Sequence, residues 1–196
     1  MRPLAVFLDR DGVVNELVPD PVTGLAESPL HTEDVRLVGG VGESLGILRS
    51  AGYRLACVTN QPAAAKGIVP VDQLLSIQAR VQELLSDVGV RFDTVRMCLH
   101  HPDGVVSDLG VSCCCRKPKP GMLLSAATEL GVDLSGSWMI GDTDADATAG
   151  NAAGCRTVLV ETPGSHHKRD GSDLSGVRAL DLTSAVSIIV RARENG

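Results

Sequence analysis

The chain has 196 residues, of which 43% are hydrophobic and 2% aromatic, and its net charge is −6. That length suits one domain with its own core, and the composition excludes a wholly disordered chain. The acidic balance, with only Phe7, Tyr53, Phe92 and Trp138 as aromatics, argues against nucleic-acid partners, which need basic faces or stacking rings.

Leu4 to Leu8 is a continuous apolar run with no helical period. It predicts a buried strand of the parallel-sheet type, ending in charge at Asp9-Arg10-Asp11-Gly12. Val13 to Leu37 carries Pro19, Pro21, Gly24 and Pro29 and reads as loop or cap. Val41, Leu45 and Leu48 stand at helical spacing and predict a helix over Val41 to Ser50, stopped by Gly52. Tyr53 to Val58 is a second strand, running into Thr59-Asn60-Gln61. Val71 to Val88 shows an apolar stripe interrupted by Gln78 and predicts a long helix. Phe92 to Met97 is a third strand. Pro120 to Leu130 is a helix with proline in its first turn. Ser137 to Ile140 is a fourth strand, ending at Gly141-Asp142. Ala145 to Ala153 is a helix closed by Gly154, and Cys155 to Val160 is a fifth strand. Glu161 to Ser175 is polar and reads as a mobile loop, with a last helix over roughly Thr183 to Arg193. Strands alternating with helices predict an α/β fold, a Rossmann-like parallel sheet with helices on both faces, in a single domain over 1–196. No stretch approaches the roughly 18 apolar residues of a membrane span, and the first apolar run is too short for a secretory signal. A cytoplasmic protein with no membrane partner is expected.

Ligands of such sheets bind at the carboxyl ends of the strands. Three predicted strands end there in polar groups: Asp9-x-Asp11, Thr59-Asn60-Gln61 and Gly141-Asp142. Carboxylates gathered in one place repel one another unless a divalent cation sits among them, and oxygen ligands of this kind suit Mg²⁺. One carboxylate can then attack phosphorus while the metal neutralises the phosphoryl oxygens. Arg116-Lys117-Pro118-Lys119 brings three cations to a helix start, a local reversal of the acidic balance that suits a phosphate.

Six cysteines are present, and four fall between positions 98 and 115. Cys98-x-His100 and Cys113-x-Cys115 form two short ligand pairs separated by a loop, a closed tetrahedral zinc set of three thiolates and one imidazole. Either His101 or Cys114 could substitute for a neighbour on spacing alone. The loop has little apolar material with which to order itself through a core, so zinc would fix it, and with it the adjoining Arg116 and Lys117. Cys57 and Cys155 read as strand packing, and Lys119, Arg10, His166 and His167 as solvated.

These motifs, Phe7-Leu-Asp9-Arg10-Asp11-Gly-Val-Val-Asn15, Val58-Thr59-Asn60-Gln61, Arg116-Lys117-Pro118-Lys119-Pro120-Gly121 and Ile140-Gly141-Asp142, stand in the order found in the haloacid-dehalogenase superfamily. Within it the chain resembles the heptose bisphosphate phosphatases, whose relatives are the histidinol-phosphate phosphatases. The resemblance covers roughly residues 4 to 160. It implies the haloacid-dehalogenase fold with a minimal cap and a zinc-binding loop. The implied activity is Mg²⁺-dependent hydrolysis of a sugar phosphate, most simply the C7 phosphate of the heptose bisphosphate, by a monomer. Asp9 would be the nucleophile and Asp11 the general acid and base. Thr59 and Lys117 would bind the transferring phosphoryl group, and Asn60, Gln61 and Arg116 are candidate substrate contacts. The Asp9 carboxylate, the Asp11 carbonyl and Asp142 would hold Mg²⁺, and the family pattern selects Cys98, His100, Cys113 and Cys115 for a structural zinc. Asp146 would support the metal ligand or cap the helix that follows. Relatives usually follow Thr-Asn-Gln with Ser-Gly and a later Arg-Gly, where this chain has Pro62 to Gly67 with Lys66. The segment Glu16 to Glu33 is longer and richer in proline than theirs. The competing readings are a histidinol-phosphate phosphatase, a receiver-like phospho-acceptor switch and an inactive zinc-stabilised binding protein.

Overall fold

The computed structural model describes residues 2–169 and 177–194. Strand β1, Leu4–Leu8, lies at the centre of a six-stranded sheet. On one side it pairs in parallel with β4, Tyr53–Asn60, and β4 in turn with β5, Thr94–Cys98. On the other side it pairs with β6, Trp138–Gly141, followed by β7, Arg156–Val160, and a two-residue β8, Arg178–Ala179.

The continuous apolar character of β1 has a direct cause, because both of its faces are covered. Val6 and Leu8 join one core cluster, with side chains from α1 (Val41–Ser50), α2 (Val71–Asp87) and α5 (Leu182–Glu194). Ala5 and Phe7 join the other, with α3 (Gly121–Leu130) and α4 (Asp144–Ala153). A fully buried leucine or phenylalanine contributes about 1.5–3 kcal/mol of transfer free energy, so the alternate residues of this strand bind two helical layers together. The chain leaves β1 toward β4 and β5, then crosses back to β6 on the opposite side. The crevice at the carboxyl ends of β1, β4 and β6 is therefore the topological switch point where α/β sheets bind ligands.

The expected strands and helices form, with boundaries moved by a residue or two. The sixth strand, β8, is not among the expected ones, and two further regions differ from expectation. The segment 13–37 is not wholly loop: Val18–Pro19 (β2) and Ala26–Glu27 (β3) pair as an antiparallel hairpin, and Thr32–Asp34 makes a 3₁₀ turn. Such two-residue strands lie below the length at which apolar alternation is visible in sequence. The stretch 161–175, expected to be a mobile loop, contains a 3₁₀ turn at Ser165–Lys168, and its residues 170–175 lie outside the described residues. Among the described residues no helix is long and apolar enough to cross a membrane.

Candidate active site

Asp9 follows β1 directly. Its amide donates to the Ile140 carbonyl at 2.9 Å, which extends the strand pairing by one residue and fixes where the side chain emerges. One carboxylate oxygen lies 2.8 Å from Lys117 Nζ. The same ammonium lies 2.6 Å from Asp146 Oδ1 and donates to the Val58 carbonyl at 2.8 Å, so all three of its protons face acceptors. Lys117 is buried, and its pKa is pushed up: the charges of Asp146 and Asp9 outweigh desolvation. Asn60 accounts for the lysine's position, since its amide accepts from Lys117 N (3.1 Å) and donates to Lys117 O (2.9 Å). Burial raises the Asp9 carboxyl to about 6 despite Lys117.

Asp11 is held differently. Arg10 Nε and Nη2 each donate to it at 3.0 Å, Asn15 Nδ2 at 2.9 Å and Gln61 Nε2 at 2.6 Å. Burial alone would raise its pKa, but the Arg10 charge and these bonds hold it below the ordinary value. Arg10, read from sequence as solvated, is wholly buried, and its third contact is Gln78 Oε1 at 3.4 Å, the polar residue that interrupts the stripe of α2. Gln61, expected at the substrate, is also buried: its amide donates to Asp11 and to Thr59 Oγ1 (2.9 Å), and it does not line the cavity.

Asp142 follows β6 and is buried, and Gly12 is glycine because of it. With φ of +86°, a Cβ at Gly12 would lie 2.4 Å from Asp142 Oδ2. Desolvation, then the neighbouring Asp9 and Asp146, push the Asp142 carboxyl well above its ordinary value. Asp146 takes the capping role, one of the two expected of it. Its Oδ2 accepts from Thr143 N (3.1 Å) and Oγ1 (2.6 Å) in a capping box at the start of α4, while Oδ1 faces Lys117. Oxygens of Asp9, Asp142 and Asp146 lie within 4.8 Å of one another. The Asp146 Oδ1 is buried, and the Lys117 ammonium is the donor it faces. Three buried carboxylates against one lysine leave an excess of negative charge, so a hard divalent cation fits this donor set.

The second cluster joins the end of β5 to the residues before α3. Cys98 Sγ lies 3.6 Å from Cys113 Sγ, 3.3 Å from Cys115 Sγ and 3.8 Å from His100 Nδ1. Zinc–sulfur bonds of about 2.3 Å in a tetrahedron place ligand atoms roughly 3.8 Å apart, so the four side chains fit zinc with little movement. Of the alternatives left open by spacing, His101 and Cys114 stand outside this cluster: His101 Nδ1 accepts from the Asp103 amide, and Cys114 is exposed. Three close thiols hinder one another's ionisation. Burial and neighbouring sulfurs push Cys115 up, whereas Cys113, despite desolvation, is lowered to about 6 by hydrogen bonds, chiefly from Cys115.

Asp9, Asp11, Thr59, Asn60, Arg116, Lys117 and Asp142 all line one cavity of about 330 Å³. Lys119, by contrast, is exposed and donates to the Cys113 carbonyl. The cavity rim holds residues that sequence reasoning missed. Glu27 and Ser28 come from the hairpin and Lys168 from the 3₁₀ turn after β7. His167 is exposed, as expected, with Nε2 3.3 Å from Glu27. Nothing local in the sequence marks Glu27 or Lys168, because the fold brings them together from distant parts of the chain.

Residues 114–181 match the HAD-hydrolase-like family model. The D-glycero-beta-D-manno-heptose-1,7-bisphosphate 7-phosphatase of Yersinia pestis is 40% identical over 160 residues, 81% of this chain and 80% of that protein. The chain belongs to the heptose bisphosphate phosphatase family. The family member of Vibrio cholerae serotype O1 is 36% identical over 195 residues, 99% of this chain and all of that protein. The crystal structure of D,D-heptose 1,7-bisphosphate phosphatase from B. bronchiseptica, complexed with magnesium and phosphate, superposes with a TM-score of 0.79 at 27% identity, covering 96% of this chain and 99% of that one. A heptose bisphosphate phosphatase family member is a phosphoric monoester hydrolase of the haloacid-dehalogenase type.

Proposed function

We propose that the chain is a Mg²⁺-dependent phosphomonoesterase that removes the C7 phosphate of D-glycero-D-manno-heptose 1,7-bisphosphate, working as a monomer of one domain. The observation that carries this reading is the convergence of Asp9, Asp142, Asp146 and Lys117 at the carboxyl ends of β1 and β6, in a chain 40% identical to a phosphatase of that name.

Asp9 attacks phosphorus through its free oxygen, forming the P–O bond of an aspartyl-phosphate. The bond to the sugar oxygen breaks, and that oxygen takes a proton from Asp11. Water then attacks phosphorus, gives its proton to Asp11, and the aspartyl bond breaks to release phosphate and restore Asp9. As a carboxylate with about four lone-pair sites, Asp11 has all of them facing donors, so it gives up one of these bonds to handle a proton. Lys117 and Thr59 hold phosphoryl oxygens, and Arg116 meets the rest of the substrate. Gln61 acts through Asp11, and Asn60 through Lys117. The Asp9 and Asp142 carboxylates and the Asp11 carbonyl would hold Mg²⁺, whose charge would offset that of the phosphoryl group. Cys98, His100, Cys113 and Cys115 would hold a structural zinc, which would set the position of Arg116.

Phosphate release measured over heptose 1,7-bisphosphate, histidinol phosphate and other sugar phosphates with Mg²⁺ tests the reading. The expected result is the highest kcat/KM on the heptose bisphosphate and none with Asp9→Asn. Preference for histidinol phosphate, or a long-lived phosphoprotein without turnover, overturns it.

A further inference from the structure

Four cations line the cavity, and they differ in depth and in side. Lys117 is on the floor, committed to Asp9 and Asp146. Lys66 and Arg116 follow β4 and β5, on one side of β1. Lys168 follows β7, on the other side, and reaches the mouth, where its Nζ lies 2.8 Å from Glu27 Oε2 with the two side chains 27% and 44% exposed.

The turn that presents Lys168 is anchored at three points. Arg169, nearly buried, donates to the Asp142 carbonyl at 2.8 Å and pairs with Glu161 at 2.7 Å. Gly164, at φ of +88°, packs so closely on the hairpin that a Cβ there would lie 2.5 Å from Ala26 Cβ. Thr162 Oγ1 donates to the Gly12 carbonyl at 2.6 Å, beside the catalytic aspartates. The lysine is thus built into the cavity wall, yet its partner is weak. A partly exposed ion pair is worth about 0–1 kcal/mol, and a phosphate dianion is a stronger acceptor for an ammonium than one carboxylate.

We propose that Lys168 is a specificity-determining residue that binds the second, non-scissile phosphate of a doubly phosphorylated substrate, exchanging Glu27 for it. This rests on the function proposed above and extends it. The floor takes the phosphate to be cleaved, and the sugar carries the other to the mouth. A substrate with only the scissile phosphate leaves the Glu27–Lys168 pair intact and gains nothing from it.

Steady-state kinetics on heptose 1,7-bisphosphate and on heptose 7-phosphate test the inference. Lys168→Ala is expected to raise KM for the bisphosphate about tenfold and leave KM for the monophosphate unchanged. Lys168→Arg is expected to restore most of the difference, and Glu27→Gln, by freeing the ammonium, to lower KM for the bisphosphate alone. An equal effect of Lys168→Ala on both substrates, no effect on either, or a higher bisphosphate KM in Glu27→Gln would overturn it. Failure of the wild-type chain to release phosphate from either sugar would instead remove the reading on which it rests.

Discussion

Arg116 and Lys117 are adjacent in sequence and are held by opposite means. Lys117 is 3% exposed, fixed by Asn60 and by three acceptors in the interior. Arg116 is half-buried on the cysteine loop, and its guanidinium makes a long hydrogen bond, 3.4 Å, to the His100 carbonyl. The floor of the cavity is therefore ordered by the sheet core. The side wall hangs on a loop with few apolar side chains, held by Cys98, His100, Cys113 and Cys115 and by the Ala65 carbonyl, which accepts from Val105 and Val106. Burial fixes the one cation, and the proposed zinc would fix the other. They fail under different conditions.

The largest expected effect is on the floor. Asp9→Asn should lower kcat by at least about 10³-fold, because the nucleophile is gone, while circular dichroism and melting report a folded protein. Lys117→Met comes next. It leaves Asp9 and Asp146 buried against each other, so denaturant unfolding should show a loss of about 3–5 kcal/mol together with loss of turnover. The loop should behave otherwise. Cys98→Ala, or zinc chelation, should cost roughly 10–100-fold in activity and speed amide exchange over 98–115 while exchange in β1 is unchanged. Elemental analysis should give one zinc in the wild-type chain and none in the variant. Equal exchange in both regions would break the distinction between them.

The smallest effect is on pH dependence. The Asp9 carboxyl, raised to about 6 by burial, holds a proton in the folded chain at pH values where the unfolded chain has released it. Without Mg²⁺, stability should therefore fall as pH rises from the ordinary carboxylate value to about 6, and the raised Asp142 acts in the same direction. The stabilisation conferred by added Mg²⁺, read as the difference in Tm, should grow over the same interval. A constant difference would mean that these carboxylates do not receive the ion.

Much of this was legible in the chain itself. The apolar runs and helical stripes locate the strands and helices of the sheet because period and burial are local properties. The strand-end motifs mark Asp9, Asp11, Thr59 and Asp142, and the ligand pairs mark the cysteine loop. What the sequence could not show is which polar residues serve others. Arg10 looks solvated until α2 covers it and places Gln78 beside it, 68 positions away. Gln61 and Asn60 look alike as strand-end amides, yet one is spent on Asp11 and the other on the Lys117 backbone. The pairing of Glu27 with Lys168 across the cavity mouth has no local trace at all. Local pattern determines where the backbone runs. Only the packed tertiary structure decides which buried donor meets which acceptor, because that choice is made by desolvation and distance between residues far apart in the chain.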